Sequence, residues 1–314
     1  MGSGRFSTNR WIRFFAKRFR PDGPRCPEAG RPGPANAAHM SEQNVQPMRR
    51  FQVPARNIDV LLHEVMRVPD SDIAGYSAPD RDITGAIVDQ AGRFSTEVFE
   101  PLNAVGDREG CRLVDGRVFT PTGSAEAFDR LDDDEWCAIA CAPEHGGQGL
   151  PNRIGTVVGE IWVSGNMALN MCQGLTQGAY ATIEADGSRQ QTALHLPRLG
   201  SCEWTGTMNL TKAGAGTDLG LLRTRAQPQA DTSYRITATQ IFISAGDHDL
   251  AEYISHLVLA RIHGNATCEV VCDGATGDLL GEEHLALKAM FTMMNEARLA
   301  VGAQGLGLAS AAKQ

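Results

Sequence analysis

A segment in the middle of the chain, rich in glycine and threonine, has the residue types that a ligand-binding turn needs. It reads Trp204-Thr-Gly-Thr-Met-Asn-Leu-Thr-Lys-Ala-Gly-Ala-Gly-Thr-Asp218. Gly214 and Gly216 allow a tight turn and a close approach of the backbone to a ligand. Thr207, Thr211 and Thr217 supply hydroxyls that donate or accept hydrogen bonds. Such a turn suits a flat heteroaromatic ring with carbonyl edges, or a phosphate.

Two familiar glycine motifs do not fit this segment. The dinucleotide-binding fingerprint GxGxxG would need glycine at position 219, where the chain has Leu219, and no βαβ pattern surrounds it. The P-loop would need a Gly-Lys-Ser/Thr ending, which the segment lacks. From residue types alone, the segment is either a ligand-binding turn or an ordinary glycine-rich turn between a helix and a strand.

Other residues with possible chemistry lie close together in sequence. Ser244, His248 and Asp249 have the residue types of a hydrolase triad. The run Asp247-His248-Asp249 could ligate a metal. A triad needs side chains that converge in space, which residues on one turn seldom do. We therefore expect a polar turn here.

The eight cysteines are scattered along the chain, and none forms a CxxC pair. Two pairs four residues apart could serve as zinc ligands, namely Cys137/Cys141, and Cys268/Cys272 with His263. Structural zinc sites favour tighter clusters. We expect no metal site, and we interpret the cysteines as small buried side chains of a protein in a reducing compartment.

The composition excludes several classes of function. Of the 314 residues, 42% are hydrophobic and 21% charged, as in ordinary globular proteins. A net charge of -8 would repel phosphates, which argues against broad nucleic-acid binding. No apolar run approaches the roughly 20 residues that span a bilayer. We expect a soluble, cytoplasmic protein with no nucleic-acid or membrane partner.

The first 50 residues do not have the pattern of a fold. Between Met1 and Met40 there are eight Lys or Arg and only two acidic residues. An Arg-rich, acid-poor leader is typical of an organellar transit peptide, which would make the protein mitochondrial. The alternative that we favour is a disordered leader or a mis-set start, with translation beginning at Met40 or Met48.

The rest of the chain has a helical part, then a strand-rich part, then a helix. Helical stripes are predicted at Ile58, Leu61, Leu62 and Val65, and at Ile83, Ile87, Ala91, Phe94 and Val98. Two further helices are predicted near 154–172 and 174–186, a hairpin or turn over 113–118, and a loop over 143–151. Strands are predicted at 224–226, 234–243 and 254–260, and a helix follows Glu283.

Four motifs occur in a distinctive order. They are PEHGGQGLP (143–151), GSRQQ with LPRLG (187–200), MNLTKAGAGTD (208–218) and QIFISAG (240–246). In this order the span from Phe51 to Gln314 resembles the acyl-CoA dehydrogenase family. Segments such as EWTGTM, GTDLGLLRTRA and LKAMFTMMNEARL are similar to the subgroup that acts on 3-methylmercaptopropionyl-CoA.

The resemblance implies an α+β fold of the acyl-CoA dehydrogenase type. The expected parts are a leader (1–50), an N-terminal α-helical domain (51–201), a central β-domain (202–283) and the first helix of a C-terminal α-bundle (284–314). The β-domain is expected to be abridged, because Ala260 to Cys268 joins directly two stretches that the family separates by further strands. Such a deletion near Ile262 would leave unpaired strand edges.

The resemblance also implies an FAD site. Its residues would be Met208, Asn209, Leu210, Thr211, Thr217, Phe242, Ile243 and Ser244. Thr211 would face the pyrimidine or N5 edge of the flavin, and Thr217 would contact both the cofactor and the acyl-CoA. Phe242 would shield the ring, and Ser244 would bond to it.

The function that the resemblance implies is FAD-dependent α,β-dehydrogenation of an acyl-CoA thioester, possible substrates including a short methylthio-acyl group. Electrons would pass to an electron-transfer flavoprotein, and a full helical bundle would build a homo-oligomer. In the family Glu-Pro usually follows the flavin threonine, whereas this chain has Lys212-Ala213.

The chain ends before the position at which the family usually has its catalytic glutamate. Some members instead have the base immediately before an arginine on the first bundle helix, but here Ala297 precedes Arg298. Glu296 is a possible substitute base, although a solvated helix carboxylate is the simpler interpretation. The alternative hypothesis is therefore a non-catalytic, truncated remnant of such an enzyme.

Overall fold

The computed structural model describes residues 11–16, 51–70, 79–212, 216, 218–262, 275–283 and 285–313. Within these residues the chain forms a helical unit, a β-sheet and a long final helix, in the predicted order. The predicted fold class, acyl-CoA dehydrogenase-like α+β, is confirmed. No helix in the described part of the chain is both long and apolar enough to cross a membrane.

Seven α-helices are described. They are α1 (Ala55–Val60), α2 (Arg81–Phe94), α3 (Glu100–Glu109), α4 (Ser124–Asp133), α5 (Asn152–Asp186), α6 (Arg189–Gly200) and α7 (Ala286–Lys313). Two π-helical turns, Leu61–Val65 and Ser95–Phe99, continue α1 and α2. Short 3-10 helices lie at Val68–Asp70, Pro143–His145 and Leu219–Leu221.

Eight strands are described. They are β1 (Trp11–Ala16), β2 (Arg112–Val114), β3 (Arg117–Phe119), β4 (Trp204–Asn209), β5 (Arg225–Pro228), β6 (Tyr234–Thr237), β7 (Tyr253–Ile262) and β8 (Ala275–Leu280). Six form a sheet in the order β1-β8-β6-β5-β7-β4, in which β1 also pairs with β7. Strands β2 and β3 form the predicted hairpin, whose turn residues Asp115 and Gly116 have positive φ angles.

The apolar stripe of α2 agrees with the prediction in its second half. Ala91, Phe94 and Val98 are buried as predicted. In the first half Ile83 is 49% exposed, and Thr84 is buried in its place.

The first predicted stripe is also confirmed in part. Ile58 and Leu62 are buried, whereas Leu61 and Val65, at the two ends of the first π-turn, are exposed.

Trp162 is the centre of the helical core. Its ring lies 5.4 Å from that of Trp136, 5.5 Å from Phe94 and 5.7 Å from Phe99, measured between centroids. The span of α5, which carries Trp162, consists of two helical parts that meet at a kink, as two helices were predicted. The kink lies at Asn166, earlier than predicted; the backbone of this residue is non-helical, and its side chain donates to the Phe99 carbonyl (3.3 Å).

Helices α5 and α7 pack against each other along much of their length. Gly178 of α5 lies beside Met293 of α7, so that an added Cβ would be 3.1 Å from the methionine Cγ. Further along, the Ser164 hydroxyl of α5 donates to the Gly307 carbonyl of α7 (2.9 Å). The helices therefore run antiparallel, and α7 holds the helical unit against the sheet.

Strand β1 lies in the stretch for which we expected no fold. Its backbone pairs antiparallel with β7 from Trp11 to Ala16 and with β8 from Arg13 to Ala16. The prediction of a structureless leader is therefore wrong for these six residues. A stretch in which five of six residues are apolar has high strand propensity.

The cysteines differ from the prediction in one respect. Cys137 and Cys202 form a disulfide that links the loop after α4 to the segment entering β4. Cys141 and Cys172 are buried free thiols as predicted, whereas Cys111 is exposed. Because Cys137 is oxidised, the interpretation of all the cysteines as reduced is wrong, and this residue is not available to zinc. The Cys268/Cys272 pair and His263 lie outside the described residues.

We expect Gly307→Ala to destabilise the protein. The new Cβ would be 2.6 Å from the Glu160 carbonyl oxygen of α5, which must then move. The free energy of unfolding should fall by roughly 1–3 kcal/mol. Gly305→Ala on the same helix is the control, because its Cβ meets nothing within 4 Å; it should be neutral or stabilising by about 0.5–1 kcal/mol. Urea unfolding that ranks the two variants the other way would contradict the packing.

We expect Cys202→Ala to lower the free energy of unfolding by about 4 kcal/mol. The disulfide closes a loop of 65 residues, and its loss restores chain entropy to the unfolded state. Cys111→Ala, at the exposed free thiol, should have little effect. Peptide mapping after alkylation checks the bond directly. Alkylation of both Cys137 and Cys202 without reductant would show that the bond is absent.

Candidate functional site

Strand β4 has two different faces. The side chains of Thr205, Thr207 and Asn209 all bond to the segment between residues 244 and 256. On the opposite face Gly206 lies so close to α5 that an added Cβ would be 2.3 Å from the Cβ of Ala179. Because one face is bonded to the loop and the other is pressed against a helix, a ligand has to approach from the end of the strand.

The end of β4 adjoins the QIFISAG motif. The Ile241 amide donates to the Thr211 carbonyl (3.1 Å), and the Thr207 hydroxyl donates to the Ser244 carbonyl (2.7 Å). The amide of Gln240 donates to the Asn209 carbonyl (3.4 Å). The structure therefore places the two predicted flavin segments, 208–211 and 242–244, side by side.

The QIFISAG motif is not the predicted strand. Strand β6 ends at Thr237, and residues 240–246 form an irregular loop. Phe242 (φ 55°) and Ala245 (φ 51°) have left-handed backbone conformations, which end an extended strand. The Phe242 side chain is 89% exposed, so its aromatic ring is accessible to a ligand. The prediction that strand 234–243 continues through this motif is wrong.

Two of the predicted site residues also pack against α7. Met208 and Leu210 contact a buried cluster that contains Met290, and Met294 packs at its edge. Helix α7 thereby supports the flavin segment from below. Thr211, the next residue, is half-buried, and its hydroxyl is the first one that follows the end of β4.

Asn209 is buried, and its side chain contacts a histidine of the neighbouring strand. Its side-chain amide lies 3.1 Å from Nδ1 of His256, which is the β7 residue opposite Thr207, two positions before Asn209. Burial lowers the pKa of His256 to about 4, and the nearby His248 contributes to the shift. A neutral histidine therefore holds Asn209, which is a structural part of the site's wall.

Residue 217 and the glycine turn lie at the edge of what the structure describes. Thr217 and Gly214 are outside the described residues, whereas Gly216 is exposed with open space around its Cα. Lys212, which replaces the family's glutamate, is buried, and its ammonium donates to the Leu210 carbonyl (2.8 Å). This charge reversal therefore has a local partner in the backbone.

Gln240 is a site residue that the sequence prediction missed. Its Oε1 atom is buried and has no hydrogen-bond partner among the described residues. A buried acceptor is normally paired with a donor, and this oxygen lies next to Ile241, whose amide bonds to Thr211. Gln240 begins the QIFISAG motif, which is the signal that could have identified it. The donors, the acceptor and the exposed ring fit a heteroaromatic ring with polar edges.

The residues of the discarded hydrolase triad point to different neighbours. His248 is buried, with Nε2 3.2 Å from the Thr205 hydroxyl, and Asp249 accepts two bonds from Thr120 (2.7 and 2.9 Å). The Ser244 carbonyl accepts from Thr207. These contacts tie the β2–β3 hairpin and β4 to the loop, as a polar turn would.

Glu296 lies on α7, six residues after Met290, which is about 9 Å along the helix axis. It is half-buried. The neighbouring Arg298 donates to Asn295 (2.9 Å) and lies over the ring of Phe291 (5.6 Å), on an exposed part of the helix. The structure does not bring Glu296 into a described contact with segments 208–211 or 242–244.

The chain is similar to curated acyl-CoA dehydrogenases. 3-Methylmercaptopropionyl-CoA dehydrogenase of Ruegeria pomeroyi is 36% identical over an alignment that covers 84% of this chain and 52% of that protein. Butyryl-CoA dehydrogenase of Syntrophomonas wolfei is 32% identical, over 59% of this chain and 30% of that protein. The chain thus spans about half or less of the length of these relatives. No family model matches it.

Solved structures share the fold. Butyryl-CoA dehydrogenase from Megasphaera elsdenii superposes with a TM-score of 0.59 at 19% identity, over 74% of this chain and 67% of that one. An acyl-CoA dehydrogenase from Bacillus anthracis, complexed with FAD, gives 0.57 at 18% identity, over 72% and 43%. A chain in the structure of the electron transferring flavoprotein of Acidaminococcus fermentans gives 0.58 at 19%, over 73% and 66%.

We expect stability to fall as the pH falls from about 6.5 to 4, in part because of His256. In this range the unfolded histidine binds a proton that the folded one, with its pKa near 4, does not. One such group contributes about 1.4 kcal/mol per pH unit. His256→Asn should therefore reduce the slope of unfolding free energy against pH, which urea unfolding at several pH values measures. An unchanged slope in this variant would contradict a neutral, buried His256.

Three independent features agree: the order of the sequence motifs, the adjacency of the two flavin segments and the sequence similarity to curated dehydrogenases. Solved structures of the same fold support this assignment at the level of architecture. This chain is similar in sequence to curated acyl-CoA dehydrogenases and has the fold of solved structures of that family.

Proposed function

We propose that the protein to which this chain belongs catalyses FAD-dependent α,β-dehydrogenation of an acyl-CoA thioester. The observation that supports this most is the meeting of residues 208–211 with the 240–244 loop, which leaves Thr211, Phe242 and the unpaired Gln240 oxygen at one edge. The FAD-bound structure from Bacillus anthracis has the same fold, which supports the choice of cofactor.

Each of these residues has a distinct role in the proposal. Phe242 covers the flat face of the ring and excludes water, Thr211 bonds to its polar edge, and Gln240 accepts from an N–H group. Met208 and Leu210 hold the segment against α7. A flavin held by these residues would supply hydride-acceptor chemistry. Thr217 is proposed to contact both the cofactor and the acyl-CoA.

Removal of the α-proton requires a base on the opposite side of the acyl chain. We propose Glu296 as the candidate within this chain, because it is half-buried on the helix that supports the flavin segment. The second candidate function is a cofactor-binding unit without chemistry. It is favoured because Glu296 lies only two positions before Arg298, on an exposed part of α7.

We also propose a substrate, an electron acceptor, an assembly and a compartment. The similarity to the Ruegeria pomeroyi protein supports a short methylthio-acyl thioester as the substrate. An electron-transfer flavoprotein is the proposed electron acceptor, a homo-oligomer the proposed assembly, and the cytoplasm the proposed compartment, with the mitochondrion as the alternative.

We expect the purified chain to bind FAD and to show the visible absorption of a bound flavin. Phe242→Ala and Thr211→Val should each weaken FAD binding roughly tenfold, because each removes a contact worth about 1–1.5 kcal/mol. Val65→Ala, which changes an exposed apolar residue of the first helical segment, should leave affinity unchanged. Equal affinities for all variants would contradict this cofactor site.

Addition of a short acyl-CoA to the FAD-loaded protein distinguishes the two candidate functions. Bleaching of the flavin band that is lost in Glu296→Gln supports dehydrogenation with Glu296 as base. Bleaching that persists in this variant places the base elsewhere. A flavin spectrum that does not change supports the cofactor-binding unit.

A further inference from the structure

Strand β1 lies between two strands that would otherwise have open edges. Residues 256–258 of β7 pair with β4 and also with β1, so these partners lie on opposite edges of β7. In the same way Gly277 of β8 pairs with Tyr234 of β6 and with Ala16 of β1. β1 is therefore a central strand, bonded on both sides.

The pairing through β1 closes the sheet into a ring. β7 pairs with β1, β1 with β8, β8 with β6, β6 with β5, and β5 again with β7. β1 is antiparallel to both of its neighbours, so β7 and β8 run parallel to each other with room for one strand between them. At ordinary strand spacing this slot is about 9–10 Å wide.

The edge of β7 that faces the slot belongs to a buried, apolar strand. Leu257, Val258, Leu259 and Ala260 of β7 are buried, as in a strand covered on both faces. Without β1, the second edge of this apolar strand would present unpaired N–H and C=O groups, which attract strands of other molecules.

We propose that the slot between β7 and β8 is a binding site for one extended apolar strand, and that its occupant is this chain's own segment Trp11–Ala16. The N-terminal segment is then a structural part of the β-domain, because it closes the sheet between β7 and β8. This role does not depend on flavin binding or catalysis.

Two proline substitutions in the full chain test the proposal. Phe14→Pro removes a ladder hydrogen bond from the middle of β1. It should lower the unfolding midpoint by roughly 5–10 °C, and it should accelerate amide exchange at residues 257–260 and 277–280 at least tenfold. Ala35→Pro, outside the strand, is the matched control. Equal midpoints and equal exchange in the two variants would overturn the proposal.

Complementation by a peptide tests the slot itself. A chain of residues 40–314 should be less stable and more prone to aggregate than the full chain, and a peptide of residues 9–18 should restore the protection of β7 and β8. The same peptide with proline at position 14 should not. Unchanged exchange in the shortened chain would refute the assignment. If that chain does not stay in solution with either peptide, the comparison of Phe14→Pro with Ala35→Pro decides.

Discussion

The central position of strand β7 is the constraint on which the rest of the structure depends. β7 is buried from Ile254 to Ala260 and pairs with β4 and β5 on one edge and β1 on the other. Two buried polar side chains on its opposite faces both have partners: Ser255 bonds to His195 (3.3 Å) and His256 to Asn209 (3.1 Å). Since β4 is held parallel to β7, the position of the candidate flavin segment follows from this pairing.

The polar side chains of β4 show how a site and its scaffold share one motif. Thr207 and Asn209 have the residue types of ligand contacts, yet their bonds go to Ser244 and His256. These bonds hold the 240–246 loop beside the end of β4, where Thr211 and Phe242 remain for a ligand. A mutation of Thr207 or Asn209 would therefore act on ligand binding through the position of the loop, not through a lost contact with the ligand.

Local pattern predicted the elements whose partners are nearby in sequence. The β2–β3 hairpin needed only a turn with left-handed residues, and β7 and α7 needed only an apolar pattern of the right period. The prediction failed where the pattern depended on distant contacts. At the start of α2 the buried side chains are Thr84 and Val88, not Ile83. The Cys137–Cys202 disulfide joins residues 65 positions apart.

Motif order and periodicity are local properties, so the amino-acid sequence was enough to predict three things. They are the resemblance to the family, the order of helical and strand-rich parts, and the two segments of the candidate cofactor site. Which side chains of those segments bond within the protein, and which remain for a ligand, became visible only in the fold. The bonds of Thr207 to Ser244 and Asn209 to His256 span 37 and 47 positions, so no local pattern encodes them. The pairing of Trp11–Ala16 with β7, some 240 positions away, is a still longer contact, and it decides whether the sheet is open or closed.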